Sequence, residues 1–285
     1  MKRTVVICGL ITLLALAAAA QAQAMGKPRV AALQIGLTAK DVYHGTIDGY
    51  WGPSTERAVR LLQRRAQIGV DGVLGPRTRR ALGRWGRHPY ASRLLQPGLV
   101  GWDVSATQFL LAWHGFPSGR LDGAFGARTA KAVAKFQRFA HQHVDGVAGP
   151  ATFRALLGPL PRPGVYLRAP LGIGYTDGFG PRGRRFHTGL DYPAAMGTRV
   201  RAAAAGRVTT VGFDPGGYGT YVVVKHAHRN YTWYAHLSRV AVGVGAFVAA
   251  GSRIGRVGAT GDATGPHLHF ELRVRGAAVD PQRAL

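Results

Sequence analysis

Residues 71–76 read Asp-Gly-Val-Leu-Gly-Pro, and the chain reads Asp-Gly-Val-Ala-Gly-Pro again 74 positions later, at residues 145–150. The same offset holds over a longer stretch, because residues 30–84 align with residues 104–158. Further matches are Gln34 with Gln108, Thr55 with Thr129, Ala58-Val59 with Ala132-Val133, and Gln63 with Gln137. Similarity within one chain at a fixed offset indicates a duplicated structural unit. The N-terminal half therefore contains two copies of one small domain.

Each copy has the residue spacing of a small helical unit. Val30, Leu33 and Leu37 lie on one face of a helix, and Pro53-Ser54 and Gly75-Pro76 are signals that open two more helices. The Asp-Gly-x-x-Gly segments are predicted to be turns. Glycine accepts a positive φ there, and the aspartate bonds its own downstream backbone. We expect two three-helix domains, at residues 28–86 and 101–158.

The sequence pattern changes after the second repeat. Residues 159–170 begin with Pro-Leu-Pro-Arg-Pro-Gly and are predicted to be a linker. Short runs rich in β-formers follow, at residues 200–211, 221–225, 231–236, 247–257 and 267–274, with glycine-rich turns between them. No segment of helical periodicity and length lies between residues 165 and 285. Residues 171–285 are therefore predicted to form an antiparallel all-β domain.

The N-terminus has the pattern of a secretory signal at residues 1–24. Lys2 and Arg3 precede an apolar run from Val5 to Ala20, and Ala-x-Ala sites follow it. The run is shorter than the roughly 20 apolar residues of a spanning helix, which favours cleavage near residue 22 or 24 over a membrane anchor. The single cysteine, Cys8, lies in the segment expected to be removed. A metal site in the mature chain would then use histidine and carboxylate ligands.

The composition is strongly basic. The chain has 37 Lys and Arg against 13 Asp and Glu, a formal net charge of +24. Such a charge attracts polyanions, either nucleic acid or an anionic cell wall. The secretory signal favours the wall, although scattered arginine among alanine and glycine is also typical of a GC-rich genome. Charge alone therefore does not identify the partner.

Two segments of the C-terminal domain place histidine and aspartate at informative spacings. His187 and Asp191 are four residues apart, and His267 and His269 are two apart, so that both imidazoles lie on one strand face. Two imidazoles and one carboxylate form a three-ligand zinc site that leaves the fourth position open to water. Zinc lowers the pKa of that water to roughly 7. Further histidines could then act as base and as transition-state donor.

His236 ends a third segment, in which Thr232, Tyr234 and His236 are expected to share one strand face. His226 and His228 have the same spacing as His267 and His269, but they precede Arg229-Asn230, which looks like a hairpin tip, and no carboxylate is nearby. We predict that they are solvated turn residues. His141 and His143 lie in a turn of the second repeat and receive the same interpretation.

Both parts of the chain resemble known families. The repeats are similar to the three-helix peptidoglycan-binding domain of bacterial wall hydrolases, with Thr107 in place of Leu33 as the one departure from its pattern. Residues 171–282 resemble the lysostaphin-type (LytM-like) zinc metallopeptidases, whose domain is of duplicated hybrid motif type. The motifs that carry this resemblance are Gly178-Phe179-Gly180-Pro181-Arg182, His187-x-Gly189-x-Asp191, Tyr234-Ala235-His236-Leu237 and Thr264-Gly265-Pro266-His267-Leu268-His269-Phe270-Glu271.

The second resemblance implies a role for each residue of the site. The residues implied as zinc ligands are His187, Asp191 and His269, and those implied as the uncoordinated catalytic pair are His236 and His267. His267 would help to deprotonate water, and His236 would stabilise the oxyanion or protonate the departing amine, although the resemblance fixes the pair more firmly than this division. For Glu271 two roles remain open, the orientation of a ligand and a structural role at the surface.

Together these features predict a secreted, monomeric, cell-wall-associated zinc endopeptidase that hydrolyses peptide bonds in bacterial peptidoglycan. Its partners would be peptidoglycan and anionic wall polymers, without nucleic acid and without a membrane anchor after signal cleavage. The repeats would target the enzyme, so that residues 165–285 alone should keep activity on short peptides but lose wall binding. Two alternatives remain: a non-catalytic regulator that activates another hydrolase, and a purely wall-binding protein. A Gly–Gly bridge and a D-amino-acid cross-link are both open as the bond cleaved.

Overall fold

The computed structural model describes residues 25–285. The predicted signal sequence at residues 1–24 lies outside the described residues. Within the described part of the chain, no helix is both long and apolar enough to cross a membrane. Six α-helices come first along these residues and twelve β-strands follow, which confirms the predicted order of a helical region and an antiparallel β domain.

Each repeat folds as three helices. The helices of the first repeat are α1 Pro28–Ala39, α2 Pro53–Arg65 and α3 Pro76–Ala81, and those of the second are α4 Trp102–Trp113, α5 Ala127–Phe139 and α6 Pro150–Leu156. Proline opens four of them, at a position where its missing N–H costs no helical hydrogen bond. α1 packs against α4, so that the two repeats lie side by side.

A buried glutamine fixes each Asp-Gly turn of the repeats. Gln63 Nε2 donates to Asp71 Oδ1 at 2.6 Å, Thr78 Oγ1 at 2.9 Å and Val73 O at 3.1 Å, and its Oε1 accepts from Gly72 N at 2.9 Å. Asp71 also accepts from the amide of Val73 at 2.8 Å, as the sequence predicts. Equivalent bonds are made by Gln34, Gln108 and Gln137. The glutamines that repeat in the sequence are therefore the anchors of the turns.

The β domain contains twelve short strands. They are β1 Gly180–Arg182, β2 Arg185–His187, β3 Leu190–Pro193, β4 Arg199–Arg201, β5 Gly206–Asp214, β6 Gly219–Lys225, β7 Asn230–Ala235, β8 Leu237–Val240, β9 Phe247–Val248, β10 Arg253–Val257, β11 His267–Val274 and β12 Ala277–Val279. The largest sheet has the order β12-β11-β7-β6-β5-β9, with β3 also paired to β11. β4, β10 and β8 form a second sheet, and β1 pairs with β2. Every pairing is antiparallel.

The strand bounds differ from the predicted runs in two ways. Residues 200–211 and 247–257 are each divided between two strands, because glycine or alanine turns interrupt them. β1, β2 and β3 have only three or four residues each, too few for an alternating pattern to appear in the sequence. Two of these unpredicted strands carry candidate ligands, His187 in β2 and Asp191 in β3.

The repeats share a hydrophobic cluster with the β domain. Trp113 of α4 packs edge-to-face on Phe186 of β2, with ring centroids 5.3 Å apart, and on Phe179 at 6.3 Å. Ala278 of β12 belongs to the same cluster, as does Ile47 of the first repeat. Edge-to-face aromatic pairs contribute about 0.5–1.5 kcal/mol each beyond their burial. The segment predicted as a linker therefore joins parts that are in direct contact.

Backbone hydrogen bonds reinforce this contact. Leu121 N donates to Arg184 O at 2.8 Å, and Ile47 N donates to Gly183 O at 2.9 Å. Ala278 N donates to Gly115 O at 3.2 Å. Gly115 has a φ of +85°, and a Cβ there would collide with the backbone of Ala278, so that only glycine fits. Both repeats are thus held in one position against the β domain.

Candidate metal centre

Three donor atoms meet where β2, β3 and β11 come together. Asp191 of β3 lies opposite His269 in the β11 register, and His187 ends β2. Asp191 Oδ1 lies 2.8 Å from His269 Nδ1 and 3.1 Å from His187 Nε2, and the two imidazole nitrogens are 3.0 Å apart. The sequence predicted these three residues as ligands, and the structure brings them together.

The donor set fits a zinc ion. Two imidazole nitrogens and one carboxylate oxygen lie within 4.8 Å of one another, and within residues 25–285 this is the only such group of histidine, cysteine or acidic residues. The side chains of His187, His269 and Asp191 are only 6 %, 9 % and 15 % exposed. Nitrogen and carboxylate donors in a three-residue set match catalytic zinc sites.

The electrostatics of the site also favour a cation. Burial alone would raise the pKa of Asp191, but hydrogen bonds from His187 and His269 hold that pKa well below its usual range, so that the carboxylate stays charged. Burial alone would lower the pKa of His269, but Asp191 and Glu271 outweigh it and raise the pKa to about 9. The two carboxylates thus attract positive charge to this point.

Hydrogen bonds behind the histidines set which nitrogen is left for a metal. His187 Nδ1 lies 2.8 Å from Gly178 O, and His269 Nε2 lies 3.1 Å from Glu271 Oε1. A carbonyl or carboxylate oxygen can only accept, so these nitrogens carry the hydrogens. His187 Nε2 and His269 Nδ1 are therefore the atoms that would face a metal, each presenting a lone pair once it gives up the proton it shares with Asp191, an arrangement typical of metal-binding histidines.

Glu271 is completely buried, which excludes the surface role left open by the sequence. Its Oε1 accepts from Thr188 Oγ1 at 2.5 Å and from Tyr218 OH at 2.8 Å, besides His269. Its Oε2 accepts from Arg273 Nε at 2.6 Å. Although burial opposes it, Arg273 and His269 hold the pKa of Glu271 below its ordinary value. Glu271 is therefore an ionised carboxylate that orients His269.

Arg182 is a residue of the site that the sequence reasoning missed. Its Nη2 donates to Asp191 Oδ2 at 2.6 Å and also contacts Asp177. This bond occupies one oxygen of Asp191 and leaves Oδ1 to face the two histidines. The signal was present in the motif at residues 178–182, which ends in this arginine.

His236 and His267 lie beside the three donors. Their ring centroids are 4.6 Å apart, and the His236 ring is 5.9 Å from that of His269. His236 Nδ1 donates to Thr260 O at 2.7 Å and His267 Nδ1 donates to Gly265 O at 2.9 Å, which leaves both Nε2 atoms free to accept a proton. Burial lowers the pKa of His236, so that its imidazole is neutral near pH 7.

The prediction that His236 shares a strand face with Thr232 and Tyr234 is wrong. β7 ends at Ala235, and His236 has a φ of 58°, in the left-handed region. Thr232 and Tyr234 are fully buried on the other side of the sheet, where Tyr234 OH accepts from Ala203 N. The turn at His236 redirects its imidazole towards His267.

The prediction for the remaining histidines holds except at His226. His228, His141 and His143 are exposed, as expected. His226 is only 6 % exposed, and its ring nitrogens lie 2.8 Å from Ala205 O and 2.7 Å from Thr232 Oγ1. His226 is thus a buried structural residue that joins two strands, and it lies apart from the metal centre.

Two family descriptions match the chain. "Peptidase family M23" matches residues 185–281, and "Putative peptidoglycan binding domain" matches residues 26–82 and 101–156. The chain is 50 % identical over 97 residues to the DD-carboxypeptidase/endopeptidase Mpg of Neisseria meningitidis, which covers 34 % of this chain and 22 % of that protein. It is 43 % identical over 98 residues to the peptidoglycan DD-endopeptidase ShyA of Vibrio cholerae, with 34 % and 23 % covered. The chain thus spans about a fifth of the length of these relatives.

Two similar solved structures are catalytic domains. That of lysostaphin from Staphylococcus simulans is 34 % identical, with a TM-score of 0.35 and coverage of 38 % of this chain and 89 % of that one. That of the prophage-encoded M23 protein EnpA from Enterococcus faecalis, solved as a point mutant, is 38 % identical. Its TM-score is 0.37, with 38 % and 87 % covered.

Proposed function

Because this chain carries a peptidase family M23 domain behind two peptidoglycan binding domains, we propose that it is a zinc-dependent endopeptidase that hydrolyses peptide bonds in bacterial peptidoglycan. The observation that carries the proposal is the convergence of His187 Nε2, Asp191 Oδ1 and His269 Nδ1, with two further histidines beside them. His187, Asp191 and His269 would hold the zinc, and His236 and His267 would move protons.

The chemistry divides between the ion and the side chains. Bound zinc would lower the pKa of a water molecule to roughly 7 and polarise a peptide carbonyl. His267 Nε2, 3.9 Å from Asp191 Oδ1, accepts the proton of the attacking water. The proton that His267 takes from water can reach the departing amine through His236, whose ring centroid lies 4.6 Å from that of His267. Burial lowers the pKa of His236, so that it does not retain this proton. Glu271 and Arg182 position the ligands His269 and Asp191.

The remaining features fit a wall enzyme. We propose that residues 1–24 direct secretion and that the repeats at residues 28–86 and 101–158 hold the monomeric enzyme on peptidoglycan, where the domain at residues 171–285 cuts it. Three relatives are named peptidoglycan DD-endopeptidases, which favours a cross-link between D-amino acids over a Gly–Gly bridge as the bond cleaved. The complete donor set favours an enzyme over a non-catalytic regulator, because such a regulator has no need of three ligands.

The test uses purified full-length protein and isolated peptidoglycan. Muropeptides released from the wall are identified by mass spectrometry, before and after a chelator and after zinc is restored. We expect release of peptides cut within the stem or cross-link, loss of activity with the chelator, and recovery with zinc. A protein that binds one zinc per chain but releases no peptide from any wall would overturn the proposal and favour the regulator.

A further inference from the structure

A cleft of about 590 Å³ lies between the second repeat and the β domain. On the β domain it is lined by Thr188 and Tyr218, whose hydroxyls both donate to Glu271 behind the metal centre. On the repeat it is lined by residues 115–120 and by one face of α5. None of the three candidate ligands lines the cleft, but Thr188 directly follows His187 and the Tyr218 ring centroid lies 5.9 Å from that of His269, so that the cleft borders the candidate metal centre.

The wall that α5 contributes is cationic. Arg128, Lys131 and Lys135 are exposed and spaced three and four residues apart, so that they lie on one face of the helix. Arg120 and Arg185 extend the positive surface on either side. No salt bridge involves any of these five residues within the described part of the chain.

A single carboxylate opposes this positive charge within the cleft. Within residues 25–285, Asp262 is the only carboxylate that lines the cleft. Arg273, which also lines the cleft, is already paired with Glu271. Burial, Lys131 and Arg273 together lower the pKa of Lys135, as expected where like charges face one another. A cleft lined by one sign of charge attracts ligands of the opposite sign.

The cationic wall is held rigidly. Leu121 and Gly115 are hydrogen-bonded to the β domain on either side of this surface, and Trp113 packs on Phe186 below it. A preformed wall of this kind needs no ordering when a ligand binds, which favours affinity. The first repeat offers a comparison, since its Arg57 occupies the position of Lys131 in the aligned helix but does not line the cleft.

We propose that α5 of the second repeat is one wall of the substrate cleft, and that Arg128, Lys131 and Lys135 bind carboxylate groups of an acidic peptide that enters the metal centre. The repeat would then select the peptide to be cut, in addition to holding the enzyme on the wall. This inference rests on the proposed peptidase function. The carboxylate is favoured over a phosphate polymer because the cleft borders the proposed peptidase site.

The test compares two double variants that remove the same charge from equivalent helices. Lys131→Ala with Lys135→Ala changes the cleft wall, and Arg57→Ala with Arg64→Ala changes α2, away from the cleft. The substrates are a soluble wall peptide with free carboxylates and the same peptide with those carboxylates amidated. Thermal unfolding and zinc content, measured for each variant, establish that the fold and the centre are intact.

For the lysine variant we expect KM for the acidic peptide to rise about tenfold, equivalent to about 1.4 kcal/mol, with kcat changed less than about twofold. The amidated peptide should show equal KM for all three proteins, and the arginine variant should match the wild type. Added salt should weaken binding of the acidic peptide to the wild type and the arginine variant more than to the lysine variant, which keeps only Arg128 of the three helix cations, because exposed charge interactions are screened.

Three results would overturn the inference. The first is an unchanged KM in the lysine variant, and the second is an equal rise in KM for the amidated peptide. The third is a loss of binding to a phosphate-bearing wall polymer without any effect on the peptide. Calorimetric binding of the acidic peptide gives the same comparison without turnover. A wild type that binds the peptide through these lysines but does not cleave it would refute the peptidase function alone.

Discussion

Replacing Glu271 by glutamine should weaken both the fold and zinc binding. Glutamine keeps the shape of the side chain but replaces one acceptor oxygen with a donor amide. In either orientation this amide faces a donor, Arg273 Nε or His269 Nε2, because the two carboxylate oxygens accept from these two groups separately. One of the two partners must therefore lose its hydrogen bond, and Arg273 loses its counter-charge in both cases.

The structure sets the expected magnitudes. Breaking a buried ion pair by removing one partner costs about 3–5 kcal/mol. The side chain of Arg273 is 23 % exposed while Glu271 is fully buried, so water offsets part of the loss and we expect about 2–3 kcal/mol. Loss of a carboxylate behind a metal-bound histidine typically lowers metal affinity about 10–100-fold. The zinc affinity of Glu271→Gln should fall within that range.

The matched control is Glu56→Gln, the same change at an exposed pair. Glu56 accepts from Arg60 at 2.9 Å, but the two side chains are 45 % and 40 % exposed, so that about 0.5 kcal/mol or less should be lost. Urea unfolding with a chelator present measures the free energy of unfolding, and competition with a chromophoric chelator measures the zinc Kd. If both variants gave the same unfolding free energy and the same Kd, the role assigned to Glu271 would be wrong.

Three further predictions test the site, the division into domains and the repeats. His267→Ala should keep nearly one zinc per chain and lose about 10²–10⁴-fold in activity, whereas His269→Ala should lose both zinc and activity. Elemental analysis and a muropeptide-release assay test this, and a folded but zinc-free His267→Ala would contradict the assignment. The contact with the repeats changes the expectation that residues 165–285 alone keep activity on short peptides: the fragment should bind less wall and also aggregate, because the cut exposes Phe179 and Phe186. Size-exclusion chromatography tests this, and a soluble, fully active fragment would support the original expectation instead. Gln63→Leu should cost about 2–3 kcal/mol in urea unfolding, because it leaves the Gly72 amide without an acceptor and Asp71 Oδ1 and Val73 O without their donor. An unchanged midpoint would refute the anchoring role.

Much of the architecture was predictable because it depends on local patterns. The duplicated Asp-Gly turns need glycine and aspartate at fixed positions, so they are readable from one copy to the next. The strand from His267 to Val274 could be predicted because its alternation places imidazoles on one face and Leu268 and Phe270 in the core. Wherever the backbone is regular, residue spacing determines which side chains share a face.

The features that escaped prediction depend on contacts distant in sequence or on irregular backbone. The left-handed turn at His236 has no signal in the residues around it. The burial of His226 depends on Ala205, a residue 21 positions away, and the packing of Phe179 and Phe186 depends on a helix of the second repeat. From the sequence alone, Phe179 and Phe186 could equally well belong to the core of their own domain. Sequence spacing and the family resemblance therefore pointed to His187, Asp191 and His269, and the structure was needed to show which residues surround and orient them.

The shared cluster around Trp113 also bears on how the proposed enzyme would sample the wall. A peptidase domain joined to its binding domains by a flexible linker can reach every bond within a sphere whose radius grows with linker length. Here the distance and angle between the repeats and the metal centre are fixed by packing, so each docking event presents bonds at one separation and one orientation. The enzyme would cut only cross-links that lie at that distance and orientation from the docked repeats. A wall digested to completion would retain cross-links wherever the spacing of the peptidoglycan does not match this geometry.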